Sequence, residues 1–343
     1  MTEIPGIDAD GVRRWLADRA DVQGDLAFTM VEGGRSNLTF TVADDNGIQW
    51  VLRRPPLHGV LESAHDMGRE ARILLALADS EVPVPDVIGL ESDEDVTGAP
   101  FYVMQFVDGL VIRDEPDAER LTPGARGVVA DRMLEVLGAL HAIDPEAVGL
   151  GNLGRHEGYL ERQLRRWKGQ LDKGAKRDLP LMHELHTRLA ADIPQQQGVA
   201  IVHGDYRLDN MIVTDDGSIQ AVLDWELCTL GDPLADVGLL QVYWFDPEDE
   251  PIGVVGTPTR LPGFPRRADL PGLYMRHSDR DLSELAYYVA FGRWKLSAIL
   301  EGVATRYEDG AYGEEAADAL KALWGVIDRL TEAAAEATEE AGR

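Results

Sequence analysis

Three polar side chains stand at a spacing that could support the transfer of a phosphoryl group. Asp205 lies two residues after His203, Asn210 lies five residues after Asp205, and Asp224 follows fourteen residues later. Phosphoryl transfer needs a carboxylate that takes the proton of the attacking hydroxyl, and oxygen ligands that hold magnesium against the phosphates. The spacing therefore predicts Asp205 as the general base, His203 as a support for its loop, and Asn210 and Asp224 as magnesium ligands.

The same residues follow the order of the protein-kinase pattern H-R-D-x-x-x-x-N with a later metal-binding Asp. Gly204 replaces the Arg of that pattern, and the run Asp-Trp-Glu at 224–226 replaces Asp-Phe-Gly. A single Asp-x-x-x-x-Asn more often belongs to a turn or a helix cap. Here an apolar strand over 198–202 precedes the motif, and a hairpin over 211–223 is expected to bring Asn210 and Asp224 to one edge.

These motifs resemble the aminoglycoside phosphotransferase-like kinases, a family that includes choline and macrolide kinases. The run Gly-Asp-Pro-Leu-Ala-Asp at 231–236 is similar to the segment that follows the metal-binding Asp in that family. Residues 36–40, 51–56 and 203–210 are most similar to a branch found fused to, or encoded near, acyl-CoA dehydrogenases.

The resemblance implies an α+β, bilobal protein-kinase-like fold that uses ATP and Mg²⁺. It predicts a nucleotide-binding lobe over 1–107, with a five-stranded antiparallel sheet and a helix, and a mainly helical catalytic and acceptor-binding lobe over 108–343. The hinge is expected near 104–108, with backbone groups of Gln105 and Val107 reaching the adenine. An ordinary strand end is the alternative there.

The loop over 32–37 lies between two predicted strands, 26–31 and 38–42. Its glycines and the amides of Ser36 and Asn37 could approach phosphate oxygens, although a Gly-Gly pair between strands is usually only a turn. An opening helix over 12–20 and a third strand over 48–54 are also expected.

Period-two alternation on that third strand places Arg53 where V-A-I-K kinases carry the phosphate-binding Lys. A guanidinium binds phosphate in bidentate fashion and stays charged. Arg54 should point the other way and be exposed. Glu70, on a helix predicted over 65–77, is the expected ion-pair partner of Arg53. A solvated helical Glu is the alternative.

Strands over 87–90 and 101–106 should complete the sheet, and helices are predicted over 128–141, 285–300 and 316–330. Residues 331–343 are expected to fray. The Pro- and Gly-rich stretch 247–271 is typical of a long loop, in a region where this fold often places acceptor-binding insertions.

Composition favours a cytoplasmic enzyme. The chain has 343 residues, 44% of them apolar, and a formal net charge of −28, which disfavours nucleic acid and anionic membranes as partners. The lone Cys228 cannot form an intramolecular disulfide, and no signal-like or membrane-spanning apolar run is present. The oligomeric state does not follow from the sequence.

The phosphate acceptor is expected to be a small-molecule hydroxyl, of a class that the sequence leaves open. Cations outnumber acids over 155–178, and four arginines fall within 266–280. Such runs usually mark a solvated helix face. Otherwise they suit an anionic acceptor such as a hydroxyacyl-CoA, and Arg165, Arg166 and Arg207 are the candidate contacts. An aminoglycoside or macrolide kinase, and a non-catalytic nucleotide-binding module, are the alternatives.

Overall fold

The computed structural model describes residues 4–31, 37–57, 66–250, 256–309 and 317–343. The chain forms two compact units. The first comprises Met1–Gly109 and Gln220–Glu226, and the second comprises Leu110–Ile219 and Leu227–Arg343.

The first unit is built on a five-stranded antiparallel sheet in the order β1-β2-β3-β5-β4. Two helices accompany it, and each begins at an Asp that caps backbone N–H groups of the first turn. The elements are α1 (Ala9–Ala17), β1 (Ala27–Met30), β2 (Leu38–Ala43), β3 (Gln49–Arg54), α2 (Met67–Leu77), β4 (Val87–Glu91) and β5 (Phe101–Gln105). The predicted α+β class and five-stranded sheet are confirmed.

Alternating side chains of the central strands form the core of this unit. Phe40 and Val42 of β2 and Trp50 and Leu52 of β3 are buried against α1. Val51 and Arg53 therefore lie on the opposite face of β3, as the sequence pattern predicts. The register of β3 and β5 places Arg53 opposite Tyr102.

Arg54 corrects one expectation. Its side chain is buried, and its guanidinium donates to the carbonyl oxygens of Gly6 and Thr97. The alternation pointed Arg54 away from Arg53 correctly, but the face it points to is covered by the chain's own N-terminal segment. Strand periodicity cannot show which segment covers a face.

The second unit is mainly helical. Its helices are α3 (Glu115–Glu119), α4 (Pro123–Ala142), α5 (Tyr159–Gly174), α6 (Pro180–Ala191), α7 (Leu234–Tyr243), α8 (Leu270–Tyr274), α9 (Leu285–Glu308) and α10 (Ala317–Glu340). Its short strands are β6 (Ala200–Val202), β7 (Met211–Val213) and β9 (Thr229–Gly231), and β8 (Ile219–Val222) begins in it. Strands β6 and β9 pair antiparallel. The predicted turn after β7 is present, with Thr214 N donating to Ser218 O at 2.9 Å.

One expectation about this unit is wrong. Residues 331–343 do not fray, because α10 continues to Glu340 and buries Thr331, Ala334 and Thr338. Small residues repeated every three or four positions form its buried stripe. The stretch 247–271 contains helical turns at Pro258–Arg260 and Arg267–Asp269 and the start of α8, while 251–255 lie outside the described residues.

None of the described helices is long and apolar enough to cross a membrane.

The burial of the α10 stripe predicts a large cost for Ala334→Glu. Ala334 is fully buried, so the substitution forces a carboxylate into the core and should lower the free energy of unfolding by about 3 kcal/mol. Ala322→Glu, at an exposed position of the same helix, is the matched control and should change it by less than about 0.5 kcal/mol. Urea denaturation measures both. Equal, small effects would show that this end of the helix does not pack.

Candidate active site

The segment that carries Asp205 is fixed by one buried carboxylate. After β6 ends at Val202, the backbone N–H groups of His203 and Gly204 donate to the two oxygens of Asp236, at 2.7 and 2.8 Å. Asp236 lies in the first turn of α7 and is fully buried. Burial raises its pKa, but hydrogen bonds and neighbouring histidines outweigh that effect, so the pKa lies below its ordinary value. The carboxylate is therefore ionised and holds both amides.

A histidine and a tyrosine extend this support. His141 Nε2 lies 3.4 Å from Asp236 Oδ2, and His141 Nδ1 lies 2.9 Å from the hydroxyl of Tyr274. Burial lowers the pKa of His141, so the ring is neutral at neutral pH. It then donates from Nε2 to Asp236 and accepts from Tyr274 at Nδ1.

The carboxylate of Asp205 is held on both oxygens by side chains of the same unit. Tyr243 donates its hydroxyl to Oδ1 at 3.0 Å, and the Asn210 amide nitrogen donates to Oδ2 at 3.1 Å and to the Asp205 carbonyl at 2.8 Å. Burial raises the pKa of Tyr243 well above its ordinary value, so this hydroxyl remains a donor. The orientation of the Asp205 carboxylate is thus fixed by two donors, and the side chain is only partly buried.

Arg207 lies beside this carboxylate. Its Nη2 contacts Asp209 Oδ2 at 2.5 Å, its Nε lies 3.5 Å from Asp205 Oδ2, and the guanidinium covers the ring of Tyr243 at 4.9 Å. Burial raises the pKa of Asp209, although the charge of Arg207 opposes that shift. Arg207 therefore belongs to the immediate surroundings of the predicted base.

In the first unit, Arg53 lies between two carboxylates. Its Nε is 3.4 Å from Glu70 Oε2, and its Nη2 is 3.2 Å from Asp224 Oδ1. Burial alone would lower the pKa of Arg53, but the adjacent anionic groups raise it. The structure thus contains the predicted ion pair of Arg53 with Glu70, and it adds a contact of Arg53 with Asp224 that was not predicted.

Glu70 is positioned by two further side chains. The Tyr102 hydroxyl donates to Oε2 at 3.0 Å, and the Asn37 amide nitrogen donates to Oε1 at 2.9 Å. Burial raises the pKa of Glu70, and the charge of Arg53 lowers it again in part. Asn37 therefore supports Glu70 through its side chain, whereas its predicted role used the backbone amide. Ser36, predicted beside it, lies outside the described residues.

Asp224 has an unusual backbone. Its φ of 64° makes it the one non-glycine residue with positive φ in the described part of the chain. The left-handed region costs most residues roughly 1–2 kcal/mol, and Asp tolerates it better than most. Residues held in such conformations concentrate at functional sites. The strained turn after β8 thus agrees with a functional Asp at this position.

The donor types present fit magnesium. Asn210 turns its amide nitrogen toward Asp205, which leaves its oxygen as the atom for a cation, and Asp224 is a partly exposed carboxylate. Where residues are described, no cluster of three or more His, Cys, Asp or Glu side chains could bind a metal by itself. Magnesium in kinases is bound through one or two protein ligands and the substrate phosphates, and each of these two side chains has an oxygen of the type that such a site uses.

The predicted hinge residues end the sheet. Gln105 is exposed and Val107 is half-buried. The Gln105 N–H donates to the Asp86 carbonyl at 2.8 Å, so any contact of Gln105 with a base would use its own carbonyl.

Acids pair with three of the four arginines in the second basic stretch but with three of the eight cations in the first, so the charge count along the sequence is corrected only in part. The paired acids are distant in sequence or lie in adjacent turns, and Arg165, Arg166 and Lys173 are the exposed cations of α5. The ion pairs are Lys168–Asp172, Lys176–Asp309, Arg177–Glu301, Arg266–Glu248, Arg267–Asp249 and Arg276–Asp131. Local counting overstated the positive charge because it cannot see partners that folding brings from elsewhere.

A small cleft of the second unit adjoins Arg207 and Tyr243. Its walls combine apolar and aromatic side chains with two arginines and one acid, namely Ile112, Arg113, Arg207, Leu208, Asp209, Leu240, Tyr243, Trp244, Gly256, Pro258 and Thr259. The cleft therefore presents more cationic than anionic groups.

Comparison with known proteins decides the family. The model of the phosphotransferase enzyme family, APH, matches residues 28–270. The chain belongs to this family. The family resemblance inferred from the motifs is thereby confirmed, and it supports phosphoryl transfer to a small molecule.

Three similar proteins show how far the sequence and the fold of this APH chain are shared. Acyl-CoA dehydrogenase family member 10 of Mus musculus is 35% identical over 82% of the chain, which spans only 27% of that protein's length. A crystal structure of a provisionally named aminoglycoside phosphotransferase from Ralstonia eutropha is 32% identical, with a TM-score of 0.80 and coverage of 97% and 98% of the two chains. The complex of another aminoglycoside phosphotransferase with AMP-PNP and hygromycin B shares the fold, with 17% identity, a TM-score of 0.58 and coverage of 94% and 98%.

Sequence reasoning missed Asp236, Tyr243 and Tyr102 as parts of the site. Asp236 ends the Gly-Asp-Pro-Leu-Ala-Asp run, so a signal for it was present. Tyr102 gives no signal by alternation, because every residue of β5 from Phe101 to Met104 is buried. Tyr243 gives no local signal, because its contact with Asp205 spans 38 residues.

The cluster around Glu70 predicts that Glu70→Ala destabilises the protein strongly. The change removes the acceptor of the Tyr102 hydroxyl and the Asn37 amide and one of the two carboxylates beside Arg53. It should lower the free energy of unfolding by about 3 kcal/mol. Glu81→Ala, at an exposed site of the same unit, should cost less than about 0.5 kcal/mol. Denaturant titration distinguishes the cluster from a solvated helical Glu, for which both losses would be equally small.

Proposed function

We propose that this chain is a magnesium-dependent kinase that transfers the γ-phosphoryl group of ATP to a hydroxyl of a small molecule. The observation that carries the proposal is the oriented carboxylate of Asp205, held by Tyr243 and Asn210 on a segment that Asp236 anchors. Membership of a phosphotransferase family supports the reaction class. The complex of a fold relative with AMP-PNP supports ATP as the nucleotide.

In the proposed reaction, the acceptor oxygen attacks the γ-phosphorus, the bond to the β–γ bridging oxygen breaks, and ADP leaves. The proton of the hydroxyl passes to Asp205, and His203 supports its loop. Asn210 and Asp224 would hold magnesium, which neutralises charge on the phosphates when bound. Arg53, held by Glu70, would bind phosphate oxygens, and Asn37 and Ser36 would lie near them. Gln105 and Val107 would contact the adenine.

For the acceptor, we propose an anionic hydroxyl compound of the hydroxyacyl-CoA type. The mouse relative carries the name of an acyl-CoA dehydrogenase family member. The cleft beside Asp205's partners has apolar walls and the guanidinium groups of Arg113 and Arg207, which suit an acyl chain and an anion better than a polycation. Arg165 and Arg166 are proposed as further contacts, because both are exposed on α5.

A second candidate is an antibiotic kinase. The Ralstonia eutropha protein, which resembles the chain over nearly its full length, carries the name of an aminoglycoside phosphotransferase. The two candidates differ in the charge of the acceptor, and binding measurements separate them.

Asp205→Asn should lower kcat by at least about 10²-fold and leave ATP affinity nearly unchanged. The amide keeps the shape of the side chain but cannot take the proton of the acceptor. Asp215→Asn, in the exposed turn after β7, is the matched control and should keep full activity. Steady-state kinetics and calorimetry measure the two quantities. An Asp205→Asn enzyme with more than about a tenth of wild-type kcat would exclude Asp205 as the base.

Asp224→Ala should abolish the magnesium-dependent part of ATP binding, and Asn210→Ala should weaken it, since each removes one proposed oxygen ligand. Glu226→Ala, two residues beyond Asp224, should have a smaller effect. Calorimetric titration of ATP with and without magnesium measures the difference. Equal losses in all three variants would indicate general misfolding and contradict the ligand assignment.

If the acceptor is anionic, CoA should bind at low salt and dissociate as salt is raised. Screening shortens the Debye length from about 30 Å at 0.01 M to about 10 Å at 0.1 M. Arg165→Glu with Arg166→Glu should weaken CoA binding and leave ATP affinity unchanged. The control, Arg306→Glu with Arg329→Glu, makes the same charge change at exposed sites elsewhere in the unit. Phosphorylation of kanamycin at micromolar affinity without CoA binding would instead establish the antibiotic kinase.

A further inference from the structure

Helix α9 buries a lysine that the proposed reaction does not use. Lys295 retains only 5% exposure and lies in a run with the buried Trp294, Leu296 and Ala298. Removing an ammonium group from water costs several kcal/mol unless its new contacts compensate. A methionine would fill the same space without that cost. A charged residue in such a place is expected to have a task beyond packing.

The charged end of Lys295 faces the segment that carries Asp205. Its Nζ donates to the Gly204 carbonyl at 2.9 Å and lies 5.9 Å from the centre of the Trp167 ring. Burial lowers the pKa of Lys295, the charges of Asp205 and Asp236 oppose that shift, and Arg166 adds to it. These are the ionic groups that surround the ammonium.

Gly204 is held from both sides. Its N–H donates to Asp236, and its carbonyl accepts from Lys295. Its φ of 85° lies in the left-handed region, and an added Cβ would come within 2.8 Å of the Leu227 carbonyl oxygen. The carbonyl of Gly204 and the N–H of Asp205 belong to one peptide plane. Lys295 therefore fixes the plane from which the Asp205 side chain departs.

We propose that Lys295 is a positioning residue that holds the Gly204–Asp205 peptide and thereby orients the Asp205 carboxylate. The inference rests on the proposed function, because Asp205 is the general base only in that reaction. Lys295 contacts the backbone and not the reacting atoms. Its loss should therefore reduce turnover through misplacement of the base, for which a displacement of 1 Å can cost about 10²-fold.

The test compares Lys295→Met with the control Lys321→Met, whose lysine is exposed on α10. Lys295→Met should lower kcat by about 10²-fold, with the KM for ATP within about twofold of wild type. Hydrogen exchange at the amides of Gly204 and Asp205 should accelerate by about tenfold or more, which reports local loosening without any turnover. Lys321→Met should change neither quantity.

A second variant protects the test against a protein that fails to fold. Lys295→Gln keeps a donor for the Gly204 carbonyl, and its kcat should lie between those of wild type and Lys295→Met. A folded Lys295→Met variant with kcat within about threefold of wild type, or with unchanged exchange at 204–205, would overturn the inference, and so would a folded Lys295→Gln variant with kcat below about a hundredth of wild type. If the wild type transfers phosphate to no acceptor, the proposed function fails, whereas a turnover defect confined to Lys295 variants supports both.

Discussion

The two hydrogen bonds that Asp236 accepts from the backbone of His203 and Gly204 are the constraint on which the proposed catalytic segment, residues 203–205, depends. They fix two successive amides with one ionised, buried carboxylate. Removing the carboxylate would leave both N–H groups buried without this acceptor, at about 1–3 kcal/mol each. His141 contacts the carboxylate itself and is held in turn by Tyr274, so the proposed base Asp205 lies on a segment positioned by contacts from α4, α7 and α8.

This arrangement also sets a direction for the pH dependence of stability. Burial depresses the pKa of His141 in the folded protein, whereas the unfolded chain takes up the proton near pH 6.5. Protonation therefore favours unfolding as the pH falls below that value. The depressed pKa of Asp236 acts in the same direction at lower pH, below its ordinary value of 3.8. Acidification should loosen the catalytic segment on both counts.

The contacts of Arg53 with two carboxylates give a geometric reason for an arginine at this position. Nε of Arg53 contacts Glu70 and Nη2 contacts Asp224, so two different nitrogens of one planar guanidinium contact the two carboxylates. A lysine has a single nitrogen on a flexible stem and could not reproduce this division. The left-handed backbone of Asp224 turns a carboxylate toward that fork while the side chain remains partly exposed.

The sequence predicted what depends on periodicity and spacing. Alternation located the five strands and the face of Arg53, and the order of Asp205, Asn210 and Asp224 indicated the chemistry. Neither periodicity nor spacing could predict contacts between residues that are distant along the chain. Tyr243 and Lys295 reach the catalytic segment across 38 and 91 residues, and Arg54 is covered by a remote segment.

The same limitation explains the basic stretches and the end of α10. Arg177 is neutralised by Glu301 on α9, which lies 124 residues away along the chain. The Ala-rich end of α10 has the composition of a fraying terminus, but the stripe of small residues fits against the rest of the unit. Neither fact is encoded locally.

The most direct test of the account is to identify a phosphorylated product. The protein would be incubated with Mg-ATP and, separately, with hydroxyacyl-CoAs, aminoglycosides, macrolides and choline, and each acceptor would be examined by mass spectrometry for the mass of an added phosphoryl group. The account predicts a phosphorylated hydroxyl, with stoichiometric ADP, for at least one acceptor of the hydroxyacyl-CoA class. Binding of Mg-ATP without phosphate transfer to any acceptor would contradict it and indicate a nucleotide-binding module.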